Sequence, residues 1–390
     1  MNKATAIDLV ERARALAPLI RQEADEIERT RRLTAPVVNA LVDNGMYRAL
    51  LPKSLGGAEA PLAIFMQMQE EVAKADASTA WCLGQCSVCA VISAYIDHDA
   101  ADEIFNNAQG ILAWGAINHD VRAEADGYRA NGRWEFASGI RQASWLGAHV
   151  RITEADGTPR KKPDGSPELR TILFPMSSAT LYDVWDTIGL RGTGTDAYSV
   201  DNIFIPEKFA ALRDEPTALR EKGPLYKIPT NTIYSMGFAA TSLGVARAQF
   251  DAAIDLARKK SPQGLSAMKE NSAVQAEIGR TEAKLRRARA YLFATAAEVW
   301  DDLSRGAPIT EAHRVAMRLA ATSTIHQSTE IVGIAYHMAG ATAVFAANKF
   351  ERRFRDMHAI AQQIQARDTH YEDAGKAILA SNLGTAPTAR

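Results

Sequence analysis

A chain of 390 residues, 47% of them apolar, has enough material to bury a sizeable core and to divide into two or three domains. Lys and Arg (45) nearly balance Asp and Glu (46), so a net charge of −1 gives nucleic acid or an anionic membrane no electrostatic hold. A small, uncharged or weakly charged substrate fits this balance better.

The chain opens with helices. Leu9, Val10, Ala13, Leu16, Ala17, Ile20 and Ile27 recur at helical spacing, and a second helix over 36–44 stops at Gly45. A third begins near Pro61, and a fourth follows Asp76-Ala77-Ser78, whose short polar side chains suit a cap. Near the N-terminus, Lys3 is followed by Asp8, Glu11, Glu23, Asp25 and Glu26, which suits neither a signal peptide nor a transit peptide and predicts a cytoplasmic protein. The three cysteines, Cys82, Cys86 and Cys89, fall at i, i+4 and i+7. They are too few for a disulfide framework, point to a reducing compartment, and read as one stripe of a buried helix rather than as metal ligands. The uncharged stretches 77–96 and 228–246 carry Ser, Thr, Gly and Asn or Gln throughout, which predicts helices buried on all sides and not membrane spans.

From about residue 113 the period changes. The segments 111–117, 128–138, 148–153, 170–175 and 198–205 are short and rich in β-branched and aromatic residues, with Asn131-Gly132, Asp156-Gly157 and Asp164-Gly165 as hairpin turn pairs. No helix-length insert separates them, so an antiparallel sandwich or barrel is expected, with 154–168 as a solvated loop. Beyond residue 230 long helical runs return, over 232–260, 272–304 and 311–337, with a last one through Arg367, and together they predict an antiparallel four-helix bundle. The tail after Leu383 is expected to fray. The fold class is α+β, mostly α, with domains 1–112 (helical), 113–225 (β) and 226–390 (four-helix bundle).

Several strings in this frame resemble the acyl-CoA dehydrogenase superfamily: Asn44-Gly45 followed by Leu51-Pro52 and Gly56-Gly57, the segment WDTIGLRGTGTD from Trp185 leading to Ile205-Pro206, and Arg355-Asp356 after Gly340. Within it, Asp76-Ala77-Ser78-Thr79-Ala80-Trp81, Trp114-Gly115 and Trp134-Glu135-Phe136-Ala137-Ser138-Gly139 resemble the oxygenase components of two-component flavin-dependent monooxygenases. The resemblance covers essentially the whole chain and implies the acyl-CoA dehydrogenase-like fold. It also implies a reduced-flavin-dependent monooxygenase that transfers one oxygen from a C4a-hydroperoxyflavin to a small aromatic, heteroaromatic, amine or sulfur substrate.

A second reading is an FAD-dependent acyl-CoA dehydrogenase, which must remove an α-proton with a carboxylate while hydride leaves for the flavin. The family places that Glu at one of two positions, which by register hold Ile364 and Tyr234 here. Neither is acidic, and only a register slip would recruit Glu372 or Asp373.

The resemblance assigns the site residues. It sets Ser138 opposite flavin N5, with Phe136 and Gly139 in the same string, although a strand-end Ser also satisfies its own turn. Trp114 and Trp185 wall the isoalloxazine, or simply pack the core. The run Gly189-Leu190-Arg191-Gly192-Thr193-Gly194-Thr195 lacks the dinucleotide G-x-G-x-x-G spacing, and Thr193 or Thr195 reaches the ribityl-phosphate side of the flavin unless the turn is purely structural. Arg258 is placed to cross a subunit interface toward the cofactor phosphate, with a cation at a helix C-terminus as the alternative. Hydroxylating relatives carry a His eight residues past the Arg of the Arg-Asp pair; this chain has Gln363, which takes no proton at neutral pH. His358, five residues earlier, lies about 140° around the helix, faces away from Gln363 and is a poor replacement. The missing base puts phenol hydroxylation in doubt and keeps nitrogen and sulfur oxidation in play. No nicotinamide-binding βαβ unit is recognisable, so the resemblance implies reduced FMN, or FAD, delivered by a separate flavin reductase, with dioxygen as co-substrate, in a homotetramer.

Overall fold

The computed structural model describes residues 8–116, 119–264 and 266–380. Its helices are α1 (Asp8–Thr30), α2 (Ala35–Asp43), α3 (Leu62–Ala73), α4 (Ala77–Cys89), α5 (His98–Phe105), α6 (Thr230–Lys259), α7 (Ser272–Ser304), α8 (Glu311–Ala339), α9 (Phe350–Ile360) and α10 (Thr369–Ala380). Its strands are β1 (Leu112–Trp114), β2 (His119–Glu124), β3 (Gly127–Ala137), β4 (Trp145–Thr153), β5 (Leu169–Pro175), β6 (Thr180–Tyr182), β7 (Asp196–Pro206) and β8 (Ala210–Ala211). The chain gathers into two compact units.

The first unit comprises the chain up to Phe65 together with Trp81–Thr187 and Arg191–Thr230. Helix α1 buries the predicted apolar stripe and carries Asp8 and Glu11 in its first turn and Arg29 in its last, each sign at the favourable end of the helix dipole. The stretch Ala77–Tyr95 is long and apolar enough to cross a membrane, yet it is 94% buried inside the protein, and all three cysteines on it are buried.

The strands form one eight-stranded sheet in the order β6-β7-β3-β2-β4-β5-β8, with β1 on β4. The sheet is mostly antiparallel, as expected, with two parallel pairings that the sequence reading did not foresee. β2 is antiparallel to β3 but parallel to β4, and β1 also runs parallel to β4, with Leu112 opposite Trp145 and His119 opposite Val150. A parallel pair ordinarily needs a crossover between its strands; here β3 itself is the return leg, so no helix is required. Asn131-Gly132 is likewise no hairpin turn. It lies inside β3 at a register shift against β7, and the β2–β3 turn falls at Asp126, whose φ is 62°. Asp156-Gly157 and Asp164-Gly165 do turn, in an exposed loop. The strand expected over 111–117 is observed as β1, Ile117 lying outside the described residues, while β2, β6 and β8 have no counterpart in the sequence reading.

The second unit comprises Met66–Ala80, Ile188–Leu190 and the chain from Asn231 onward. Asp76 caps α4, its carboxylate accepting from Thr79 N at 2.7 Å and from Thr79 Oγ1 at 2.8 Å. Asn271 caps α7, and Thr310 with His313 forms a reciprocal capping box on α8. Buried Glu70 pairs with Arg289 at 3.0 Å and ties α3 to α7. The last predicted helix is corrected: it ends at Ile360, passes through a short turn at Ile364–Ala366, and resumes as α10. Among the described residues, α6 to α10 therefore comprise three long helices and two short ones. The tail beyond Leu383 lies outside the described residues.

Candidate active site

In the first unit, β3 loses register against β7 between Trp134 and Ala137. This bulge places Phe136 at φ 60°, a conformation that an aromatic residue rarely adopts, and leaves its ring 60% exposed. Ser138 follows, nearly buried, and its hydroxyl is held from two sides: Trp81 Nε1 donates to Ser138 Oγ at 3.0 Å, and Thr195 Oγ1 lies 2.7 Å away. Thr195 in turn contacts Thr193 Oγ1 at 2.7 Å, and Cys82 Sγ donates to the Thr193 carbonyl at 3.5 Å. Gly139 has φ +80°, and a Cβ there would stand 2.5 Å from Cys86 Sγ, so only glycine lets the strand pass α4 this closely.

Thr193 and Thr195 are both buried and bonded to each other, and through Thr195 they support the Ser138 hydroxyl, as the structural-turn alternative anticipates. Trp185 is half-buried in the loop before them, its carbonyl accepting from Arg31 at 2.8 Å. Nearby, the Arg141 guanidinium donates to Asp196 at 2.7 Å and to Asp183 at 2.9 Å, a brace that sequence reasoning missed because its members lie far apart in the chain.

Trp114 is buried within the sheet domain, edge-on to His149 at 5.1 Å, with the Arg213 guanidinium 5.5 Å above its ring. Burial first, and the Arg213 charge second, hold the His149 pKa well below the ordinary histidine value. Arg213 Nη1 donates to His149 Nε2 at 3.0 Å, so the imidazole is neutral and its Nδ1–H donates to Thr171 Oγ1 at 2.9 Å.

In the second unit, the Arg355-Asp356 pair holds a turn. Asp356 Oδ1 accepts from Leu190 N at 2.7 Å, and Arg355 donates to the Ile188 carbonyl. Between them, a Cβ on Gly189 would stand 2.2 Å from the Arg355 carbonyl oxygen, so glycine is obligatory there. Gln363 lies in the break between α9 and α10, where its side chain accepts from Gln365 N at 3.2 Å while its Nε2 is buried without a partner. It lines an open hollow of about 960 Å³ together with His326, His337, Phe354 and His358. His358 and Gln363 therefore share one hollow. The expectation that His358 faces away assumed a helix that continues past Ile360. Arg258 is exposed on α6, paired with Asp255 at 2.8 Å.

Residues 6–104 match the family model described as the acyl-CoA dehydrogenase N-terminal domain, and residues 236–367 match that of the acyl-CoA dehydrogenase C-terminal domain, together more than half of the chain. The chain belongs to the acyl-CoA dehydrogenase superfamily. Among its curated relatives are an indole-3-acetate monooxygenase of Pseudomonas putida, 28% identical over 91% of this chain and 89% of that protein, and the flavin-dependent monooxygenase oxygenase subunit HsaA of Rhodococcus jostii, 27% identical over 90% and 92%. The solved structure of XiaF from Streptomyces in complex with FADH2 and glycerol matches with a TM-score of 0.88 at 21% identity, covering 99% of this chain and 97% of that one, a likeness of fold.

Of the superfamily's two base positions, Ile364 is 56% exposed in the turn after Gln363, and Tyr234 is buried and stacked on Phe238 at 5.6 Å. Glu372 and Asp373 are exposed on α10, with Asp373 4.0 Å from Arg318 and 3.8 Å from Lys376. Neither lines the hollow at Gln363. The hollow's own acids are Glu330, paired with Lys284, and Asp368, 3.9 Å from His326 Nε2.

Proposed function

We propose that this protein is the oxygenase component of a reduced-flavin-dependent monooxygenase, acting on a small aromatic, heteroaromatic, amine or sulfur compound. The observation that carries the reading is the pairing of an exposed aromatic ring, Phe136, with a hydroxyl fixed from two sides, Ser138, in a chain whose two superfamily base positions hold Ile364 and Tyr234. A flavin fits these residues: Phe136 offers a flat face to the ring system, and Ser138 offers one hydroxyl at the N5 edge. When bound, reduced flavin supplies activation of dioxygen and transfer of one oxygen atom. The chain's own part is to orient the ring and to shield it from water, since an apolar pocket with few hydroxyls limits wasteful loss of peroxide.

Gln363 takes no proton, so a substrate in the hollow meets no base at this position. Oxygen transfer to nitrogen or sulfur needs no deprotonated carbon acid, which this residue suits. Reduced FMN or FAD arrives from a separate flavin reductase. Among the described residues the parallel strands β2 and β4 are joined through β3 with no crossover helix, so no nicotinamide-binding βαβ unit is formed. We further propose a cytoplasmic homotetramer in which Arg258 reaches a neighbouring subunit's cofactor.

The test is stopped-flow oxidation. Protein loaded anaerobically with reduced FMN and mixed with oxygen should regain the oxidised-flavin band more slowly than free flavin does. Recovery at the free-flavin rate with stoichiometric hydrogen peroxide overturns the proposal. Bleaching of bound FAD by an acyl-CoA would establish the dehydrogenase instead.

A further inference from the structure

Ser138 has one proton to give and two lone pairs to fill. The indole N–H of Trp81 occupies one lone pair, because an indole nitrogen can only donate. What remains is one donor and one acceptor, to be divided between Thr195 and whatever faces Ser138 from the flavin side. Thr195 serves either way. It can accept from Ser138 and pass its own proton to Thr193, or accept from Thr193 and donate to Ser138.

Oxidised flavin presents a bare nitrogen at N5, which accepts, whereas reduced flavin carries N5–H, which donates. Building on the flavin reading above, we propose that Trp81 and Thr195 are positioning residues that let the Ser138 hydroxyl reverse its direction, so that it accepts from N5–H of the reduced ring while its own proton goes to Thr195. Trp81 fixes where the oxygen sits, and Thr195 takes the proton that would otherwise be stranded. All four side chains are at most 8% exposed, so no bulk water stands in for a missing partner. A buried donor left unpaired costs far more than an idle lone pair, and the asymmetry gives the inference its sign.

Removing the Thr195 hydroxyl while keeping its shape therefore penalises the reduced flavin selectively. Thr195→Val strands the Ser138 proton when N5 donates, but leaves it well used when N5 accepts. The ratio of dissociation constants for oxidised over reduced FMN should fall on the order of tenfold. For a two-electron couple that is a bound-flavin potential about 30 mV more negative. Thr195→Ser restores a hydroxyl and should restore the ratio. Trp81→Phe removes the anchor and should weaken both redox forms together, with the ratio preserved within about twofold.

Affinities would be measured by anaerobic ultrafiltration, with free flavin quantified after reoxidation, and potentials by dye-linked titration, on variants whose circular dichroism and melting match the wild type. If Thr195→Val leaves both ratio and potential unchanged while the wild type binds flavin, the inference fails and the flavin reading stands. If the wild type binds neither form, both fall. A Thr195→Val ratio that drops and is recovered by Thr195→Ser supports the assignment.

Discussion

Asp356 offers the sharpest test of how the Arg-Asp pair works. Its carboxylate is 2% exposed and accepts from Leu190 N at 2.7 Å, while Leu190 itself is 4% exposed and sits at φ 50°. Asp356→Ala removes a charge-assisted bond to a buried N–H, an effect of about 2–3 kcal/mol. Asp356→Asn keeps an acceptor of the same shape and should lose about half as much. The Arg355 bond to the Ile188 carbonyl remains in both, so the turn should loosen locally before the unit melts. Amide exchange at Leu190 reads this directly: a 2–3 kcal/mol loss corresponds to exchange roughly 30- to 150-fold faster in Asp356→Ala, with Asp356→Asn in between. Unchanged exchange at Leu190 in Asp356→Ala would refute the view that this carboxylate holds the turn.

Phe136→Ala should weaken FMN binding about tenfold by removing a ring face, yet change stability by less than about 0.5 kcal/mol because the ring is exposed; titration and melting check the two halves. Gly139→Ala forces a methyl to within 2.5 Å of Cys86 Sγ and should lower the melting temperature, whereas Cys86→Ala in the same chain should recover part of the loss, leaving about 1 kcal/mol of φ strain. No recovery would place the cost elsewhere. His149 is held neutral in the folded state, so the unfolded chain binds the extra proton and stability falls as pH drops below the ordinary histidine value. Melts from pH 7 down to pH 5 should show the wild type losing stability more steeply than His149→Gln as the pH falls below about 6.5, by at most about 1.4 kcal/mol per pH unit, and parallel curves would remove His149 from the account.

Local signals in the sequence carried most of the helices. The run over 272–304 matches α7 because a capping Asn and unbroken apolar periodicity mark both its ends. The helix through Arg367 failed for the complementary reason: nothing between Phe350 and Arg367 is Pro or Gly, and the turn is made instead by the Gln363 side chain bonding Gln365 N, which no periodicity displays. Asn131-Gly132 carried the chemistry of a hairpin, but the sheet used it as a bulge, and β2 found its parallel neighbour through a pairing set by distant residues. At the candidate site, the string around Ser138 singles that residue out in the sequence. Its partners are not marked in this way, since Trp81 and Thr195 each lie 57 residues from it, one on either side.

The interruption between α9 and α10 has a consequence for how this scaffold diversifies. A residue on a continuous helix must serve the packing of its face, and changing it disturbs neighbours one turn away. Position 363 is free of that helical face but bound to the turn, because its side-chain oxygen accepts from Gln365 N, so only a residue that keeps an acceptor there preserves the break. An imidazole that accepts from the Gln365 amide would meet that demand as the carboxamide does, so what the hollow offers a guest molecule can change from neutral group to proton acceptor while the turn is kept.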